Sequence, residues 1–328
     1  MAVAIAAVVE EAAAAAAGES HENSNSCEKQ DHSALPSMLR LCVVVLLAST
    51  ACVLGASLPI GRLAHTGPVR RLGVAAGLIY GGHDAARGEF PYMVSLKIVG
   101  TFTKSHHCGG AIIFSTSVLT AAHCTTNIDK SIVSTRGAFH SHHECTTAVA
   151  GELDQSTDEG TEQEVRISQM IKHPDHPGGT DVSPNDIAVI KLMTAFTFNS
   201  FVQPINLPSA GVVPTDGSSA AALGWGEIED EGEPDILQTV DVVIIDQATC
   251  SQLIDSLITE NQLTDTMICT GPVTGGTGVC YGDSGSPVTQ DGMVVGMASW
   301  TIMPCATERS PSVYTRVSAF LDFVNEHI

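Results

Sequence analysis

Positive charge is scarce in this sequence. Lys and Arg number 15 against 36 Asp and Glu, giving a formal net charge of -21 at pH 7. From residue 79 onward the balance is 10 against 30. Such a surface repels nucleic acid and anionic membranes, so neither is an expected partner. Aromatic residues are also few, at 5%. The core must therefore be built from Val, Ile, Leu, Ala and Met. No internal repeat is evident, which argues against solenoid and propeller architectures.

The apolar run Leu41–Leu54 is short for a membrane span. With Arg40 before it and small residues at 55–57, it has the form of a signal peptide over 38–57. The rival reading of that run is a signal anchor. Residues 1–37, Ala-rich and then polar, are either a wrong gene start or a flexible extension. Residues 58–78, with Arg62, Arg70 and Arg71, have the form of a short propeptide.

From residue 79 the pattern changes to short β-rich runs broken by Gly, Pro, Asn and Asp. Tyr92–Val99, Gly110–Leu119, Asp186–Leu192, Val240–Ile245 and Met293–Trp300 are the clearest. This spacing predicts an all-β barrel or sandwich. The end differs: Ser318–Ile328 sets Ala319, Phe320, Phe323, Val324 and His327 near one face of an amphipathic helix. Ten cysteines are present, seven of them after residue 79. Seven is odd, so one is left over in a monomer.

Three short runs carry chemistry. In Gly282-Asp-Ser-Gly285, glycines flank a serine and allow a sharp turn whose N–H groups could meet one oxygen. A serine hydroxyl is a poor nucleophile without a base and a group that orients the base. Thr120-Ala-Ala-His123-Cys124 offers the base, and Asn185-Asp186, at the mouth of an apolar strand, offers the orienting acid. Taken singly, each run is an ordinary turn, core or capping element.

Together, in the order His, Asp, Ser, the runs resemble the trypsin/chymotrypsin family over about residues 79–328. The resemblance implies two packed six-stranded antiparallel β-barrels with a C-terminal α-helix. His123 and Asp186 would come from the first barrel and Ser284 from the second. Gly224-Trp225-Gly226 fits the same pattern. His123 would be the general base, Asp186 its orienting acid, Ser284 the nucleophile, and the N–H groups of Gly282 and Ser284 the oxyanion hole. Ile79 would be the N-terminus freed by activation, its ammonium pairing with Asp283. The residue before it is Leu78, where the family usually has Lys or Arg, so an activator preferring Leu is expected.

The resemblance also pairs Cys108 with Cys124, Cys250 with Cys269, and Cys280 with Cys305. That leaves Cys145, within an apparent insertion over 131–147. His140-Ser-His-His-Glu-Cys145 there could hold zinc or be an exposed loop. Gly151–Glu162 resembles the calcium loop of some family members. Glu152, Glu159 and Glu162 would give carboxylates, and Asp154 and Thr157 carbonyls. The alternative is a solvated acidic loop with no ion.

The residue at the base of the specificity pocket would be Gly278, with Ser299, Trp300, Thr301 and Ser312 on its walls. With no acid at the base, a buried Lys or Arg would lack a partner, so cleavage after apolar residues is expected. Glu308 is the acid that could reverse this. Ser286 replaces a commoner Gly, as chymotrypsin-like proteases of arthropods often do. The implied protein is a secreted digestive endopeptidase with no required cofactor, monomeric. Its partners would be protein and peptide substrates, an activating protease and protein inhibitors. The alternatives are a regulatory cascade protease and a non-catalytic homologue acting as a binding module.

Overall fold

A computed structural model of the chain describes residues 81–100, 103–126, 145–179, 182–228, 232–271 and 274–328. The expected extension, signal peptide, propeptide and Ile79 lie outside the described residues, as do residues 140–144 of the His-rich run. No helix among the described residues is long and apolar enough to cross a membrane.

Two six-stranded antiparallel barrels dominate the described residues. The first closes in the order β2(Met93–Val99), β3(Lys104–Phe114), β4(Ser117–Thr120), β7(Ala188–Leu192), β6(Gln163–Lys172) and β5(Cys145–Ala150). The second runs β9(Gln238–Ile245), β10(Met267–Gly271), β13(Ser312–Arg316), β12(Met293–Thr301), β11(Pro287–Gln290) and β8(Ser219–Gly224). It closes where β8 pairs with β9, and the two-residue β1(His83–Asp84) adds to the outside of β9. Closure removes exposed strand edges.

The strands follow the residues. In β9, Val240, Val242 and Ile244 point inward while Asp241 and Val243 face out, the period-two pattern of a half-buried strand. In β3, Cys108 to Ile113 are buried without a break, so alternation is lost there. That is why Gly110–Leu119 looked like one strand. It is two, β3 and β4, joined by a tight turn at Ser115–Thr116. The expected insertion at 131–147 also changes: its last three residues belong to β5, with Val99 opposite Cys145.

Each barrel has its own aliphatic core, with Val94, Leu96, Ile112 and Ile190 in the first, and Val242, Ile268 and Val288 in the second. A third cluster joins them. Leu119, Ile187 and Val189 of the first barrel meet Val294, Met297 and Val317 of the second. Phe320, Leu321, Phe323 and Val324 complete that seam. The terminal α-helix is shorter than the sequence suggests. Val317–Ala319 form a 3₁₀ turn, and α2 spans only Leu321–Glu326. Helix α1(Gln247–Leu257) starts at Asp246, whose carboxylate accepts the N–H groups of Ala248 and Thr249.

The expected disulfides all form: Cys108–Cys124, Cys250–Cys269 and Cys280–Cys305. Each closes a loop of 16 to 25 residues, a size for which a bridge contributes about 3 kcal/mol.

Candidate active site

His123 and Asp186 stand at the rim of the first barrel. His123 opens a 3₁₀ turn just after β4, and Asp186 lies two residues before β7. Since β4 and β7 are paired, their ends bring the two residues together. The Asp186 carboxylate accepts the His123 N–H at 2.8 Å and meets the ring Nδ1 at 2.7 Å. A carboxylate only accepts, so Nδ1 carries the proton and Nε2 is left as an acceptor.

Asp186 is also held from the other barrel. Ser299 Oγ on β12 donates to its carboxylate at 2.6 Å, and Thr315 Oγ1 on β13 donates to its carbonyl at 2.8 Å. Burial pushes this carboxyl up, but the His123 and Ser299 hydrogen bonds and the His123 charge outweigh it. The net shift is below the usual carboxylate range. The sequence suggested only a wall position for Ser299. It lines the cavity and also donates to the buried acid.

Ser284 lies in the turn between β10 and β11. The turn is clamped on both sides: Gly109 N–H of β3 donates to the Ser284 carbonyl at 2.8 Å, and Gly285 N–H to Ala298 O at 2.9 Å. The flanking glycines are required by geometry. Gly282 has φ 90° and Gly285 φ 72°. A Cβ on Gly285 would lie 2.2 Å from Thr120 Oγ1. Among the described residues, the N–H groups of Gly282 and Ser284 donate to no protein acceptor. No hydrogen bond joins His123 to Ser284, but both line one cavity of about 650 Å³.

That cavity is also walled by Val279, Tyr281, Ser299, Trp300, Thr301 and Met303. Gly278 and Ser312 lie behind Val279: Ser312 Oγ accepts the Val279 N–H at 3.1 Å, and a Cβ on Gly278 would come within 2.9 Å of it. Glu308 is not among the lining residues. Among the described residues the one lining carboxylate, Asp283, is fully buried and turned to the Gly226 and Cys280 N–H groups, each at 2.8 Å. The Ser286 hydroxyl is buried without a partner, in space that Gly109 and Gly224 leave open.

A model of the family described as Trypsin matches residues 79–324. The chain belongs to the trypsin family, and it is a serine protease. It is 35% identical to Trypsin-1 of Astacus astacus over 251 residues, 75% of this chain and 98% of that protein. It is 35% identical to Trypsin I-P1 of Gallus gallus, covering 75% of this chain and 87% of that one. Trypsin delta of Drosophila melanogaster is 33% identical over 86% of this chain and 97% of its own. Protein substrates follow from membership of a protease family.

One side chain of this trypsin-family site was not legible in the sequence. His106, on β3, donates from Nε2 to the Gly282 carbonyl at 3.0 Å and accepts from Ser95 Oγ through Nδ1 at 2.8 Å. Only its adjacency to His107-Cys108 could have hinted at it. Burial drives its pKa down to about 4, against the hydrogen bond to Gly282, with help from the Lys97 charge. Asp283, which the sequence did single out, is pushed up by burial to about 7 although two N–H groups oppose the shift. No cation pairs with it among the described residues.

The neutral His106 sets a pH dependence of stability. Its folded pKa lies below the ordinary 6.5, so the unfolded chain takes the proton first as pH falls. Its contribution is fully present above pH 6.5 and is lost progressively toward pH 4, by on the order of 3 kcal/mol. Urea unfolding across this range should show wild type losing stability relative to His106→Gln. Parallel pH profiles for the two proteins would refute the assignment.

Proposed function

We propose that the chain is the zymogen of a secreted digestive endopeptidase that cleaves after apolar residues through an acyl-enzyme. What supports this above all is the His123–Asp186 pair at 2.7 Å, facing a cavity that Ser284 also lines. In the proposed reaction His123 Nε2 takes the Ser284 proton as Oγ attacks the scissile carbonyl. Asp186 keeps the ring tautomer and stabilises the imidazolium. The N–H groups of Gly282 and Ser284 meet the oxyanion. His123 then gives the proton to the leaving amine, and water releases the acyl group in a second cycle.

Activation is assigned to cleavage before Ile79. Asp283 is the reason it would matter. A fully buried carboxylate without a cation is costly, and a free ammonium at Ile79 would supply the missing charge. The pocket and the oxyanion turn include Cys280 to Ser284, so they would order with that pairing. Secretion follows from the signal-like run 38–57, and the three disulfides suit an oxidising compartment.

Apolar preference rests on Gly278 and on walls that, among the described residues, place no free carboxylate in the cavity. Several relatives are named trypsins, but none of that transfers a pocket acid to this chain. Leu, Met and smaller aliphatics fit a cavity narrowed by Thr301.

Two experiments test this. Zymogen digested with trypsin should yield little Ile79 N-terminus by sequencing, whereas a Leu-preferring protease should yield it readily. Efficient release by trypsin contradicts the role given to Leu78. The activated protein, profiled on a peptide library, should cut after Leu and Met. Ser284→Ala should lower kcat by roughly 10⁵–10⁶-fold. Dominant cleavage after Lys or Arg would overturn the pocket reading.

A further inference from the structure

The loop Gly151–Glu162 carries the acids expected of a calcium site, but they do not face one point. Glu152 Oε1 lies 2.5 Å from Lys97 Nζ, and both side chains are almost fully buried, at 7% and 6% exposure. Glu159 pairs with Arg87 through Oε1, while its Oε2 accepts the N–H groups of Leu153 and Asp154 at 2.9 and 3.2 Å. Glu162 accepts the Glu159 and Thr161 N–H groups at 2.7 and 2.8 Å, one on each oxygen. The Asp154 carboxylate folds back onto Ser156. Of the oxygens on the three glutamates, only Glu152 Oε2 remains, buried and without a partner among the described residues.

Calcium needs about six to eight oxygens at roughly 2.3–2.6 Å. Five of the six oxygens on Glu152, Glu159 and Glu162 already meet an N–H group or a cationic side chain. Among the described residues, the only His, Cys, Asp or Glu trio with ligand atoms within 4.8 Å of one another is Cys108, His123 and Cys124. Two of those are joined in a disulfide. A divalent ion at Glu152 would also sit against the Lys97 ammonium, and two like charges in a buried site repel strongly. The donor set does not fit the ion.

The positive charge an ion would bring is supplied without it. Of the five carboxylates in this loop, Glu152 and Glu159 are paired with Lys97 and Arg87, which bring two positive charges, the same number as a calcium ion. Lys97 is able to reach inward because a bulge in the β2–β3 pairing falls between Leu96 and Lys97. We propose that Lys97 and Arg87 replace a divalent cation in this loop, so that it is ordered by the chain's own side chains and is independent of calcium.

The consequence reaches the candidate active site. Leu153 O accepts from Trp225 Nε1 at 3.3 Å and from Leu237 N–H at 2.8 Å. Gly226, the residue after Trp225, donates to Asp283. A loop held by Lys97 therefore buttresses the backbone that surrounds Asp283, in fluids with or without free calcium.

Thermal melting of the full chain, with Ser284→Ala to prevent self-digestion, tests this. Melting in millimolar calcium chloride and in EGTA should coincide, and calorimetric titration with calcium should show no binding. A calcium-dependent rise in Tm, or a binding isotherm, overturns the proposal whatever any variant does. Lys97→Met in the same background should melt on the order of 10 °C lower in EGTA. It should recover part of that loss in calcium, because Glu152 is then free to bind the ion. A folded Lys97→Met protein that ignores calcium would contradict the claim that Lys97 is what displaces it.

Discussion

The Asp186 carboxylate is where the two barrels meet chemically. The first barrel supplies it and two of its donors, the N–H and ring of His123. The second barrel supplies Ser299 Oγ. The hydrophobic seam through Leu119, Ile187 and Met297 brings the barrels together, but apolar contact is not directional. The hydrogen bonds to Asp186 are. They fix which tautomer His123 holds and which nitrogen it turns outward. A carboxylate this buried is tolerated because every donor needed to hold it ionised is present.

Around Asp283 the balance is different. It too is fully buried, but it has two backbone donors and no cation among the described residues. Its pKa is raised to about 7, while that of Asp186 is lowered. The two buried acids thus have opposite environments. In the proposed mechanism, Asp186 is finished when the barrels close, and Asp283 waits for the new N-terminus. His106 and Gly109, both on β3, hold the carbonyls of Gly282 and Ser284 meanwhile.

Much of this was legible in the sequence because it is local. Gly282-Asp-Ser-Gly285 and Thr120-Ala-Ala-His123 are runs whose residue types declare a turn chemistry, and the disulfides followed from the family they indicate. The alternation of Val240, Val242 and Ile244 marks a strand directly. What was hidden depends on distant partners. His106 meets Gly282 across 176 residues, and Lys97 meets Glu152 across 55. No periodicity encodes such contacts. The β3–β4 turn was hidden for another reason: Cys108–Ile113 of β3 and all of β4 are buried on both faces, so no alternation marks where one strand ends and the next begins. The acids of the 152–162 loop suggested an ion because their cationic partners lie on other segments.

The central claim is that Ser284 is a nucleophile served by His123 and Asp186. Stopped-flow reaction of the protein cleaved before Ile79 with p-nitrophenyl acetate tests it most directly. A burst of one equivalent of nitrophenolate per protein, with the acetyl group mapped by mass spectrometry to Ser284, is the predicted result. The absence of a burst, or an acetyl group on any other residue, would contradict it.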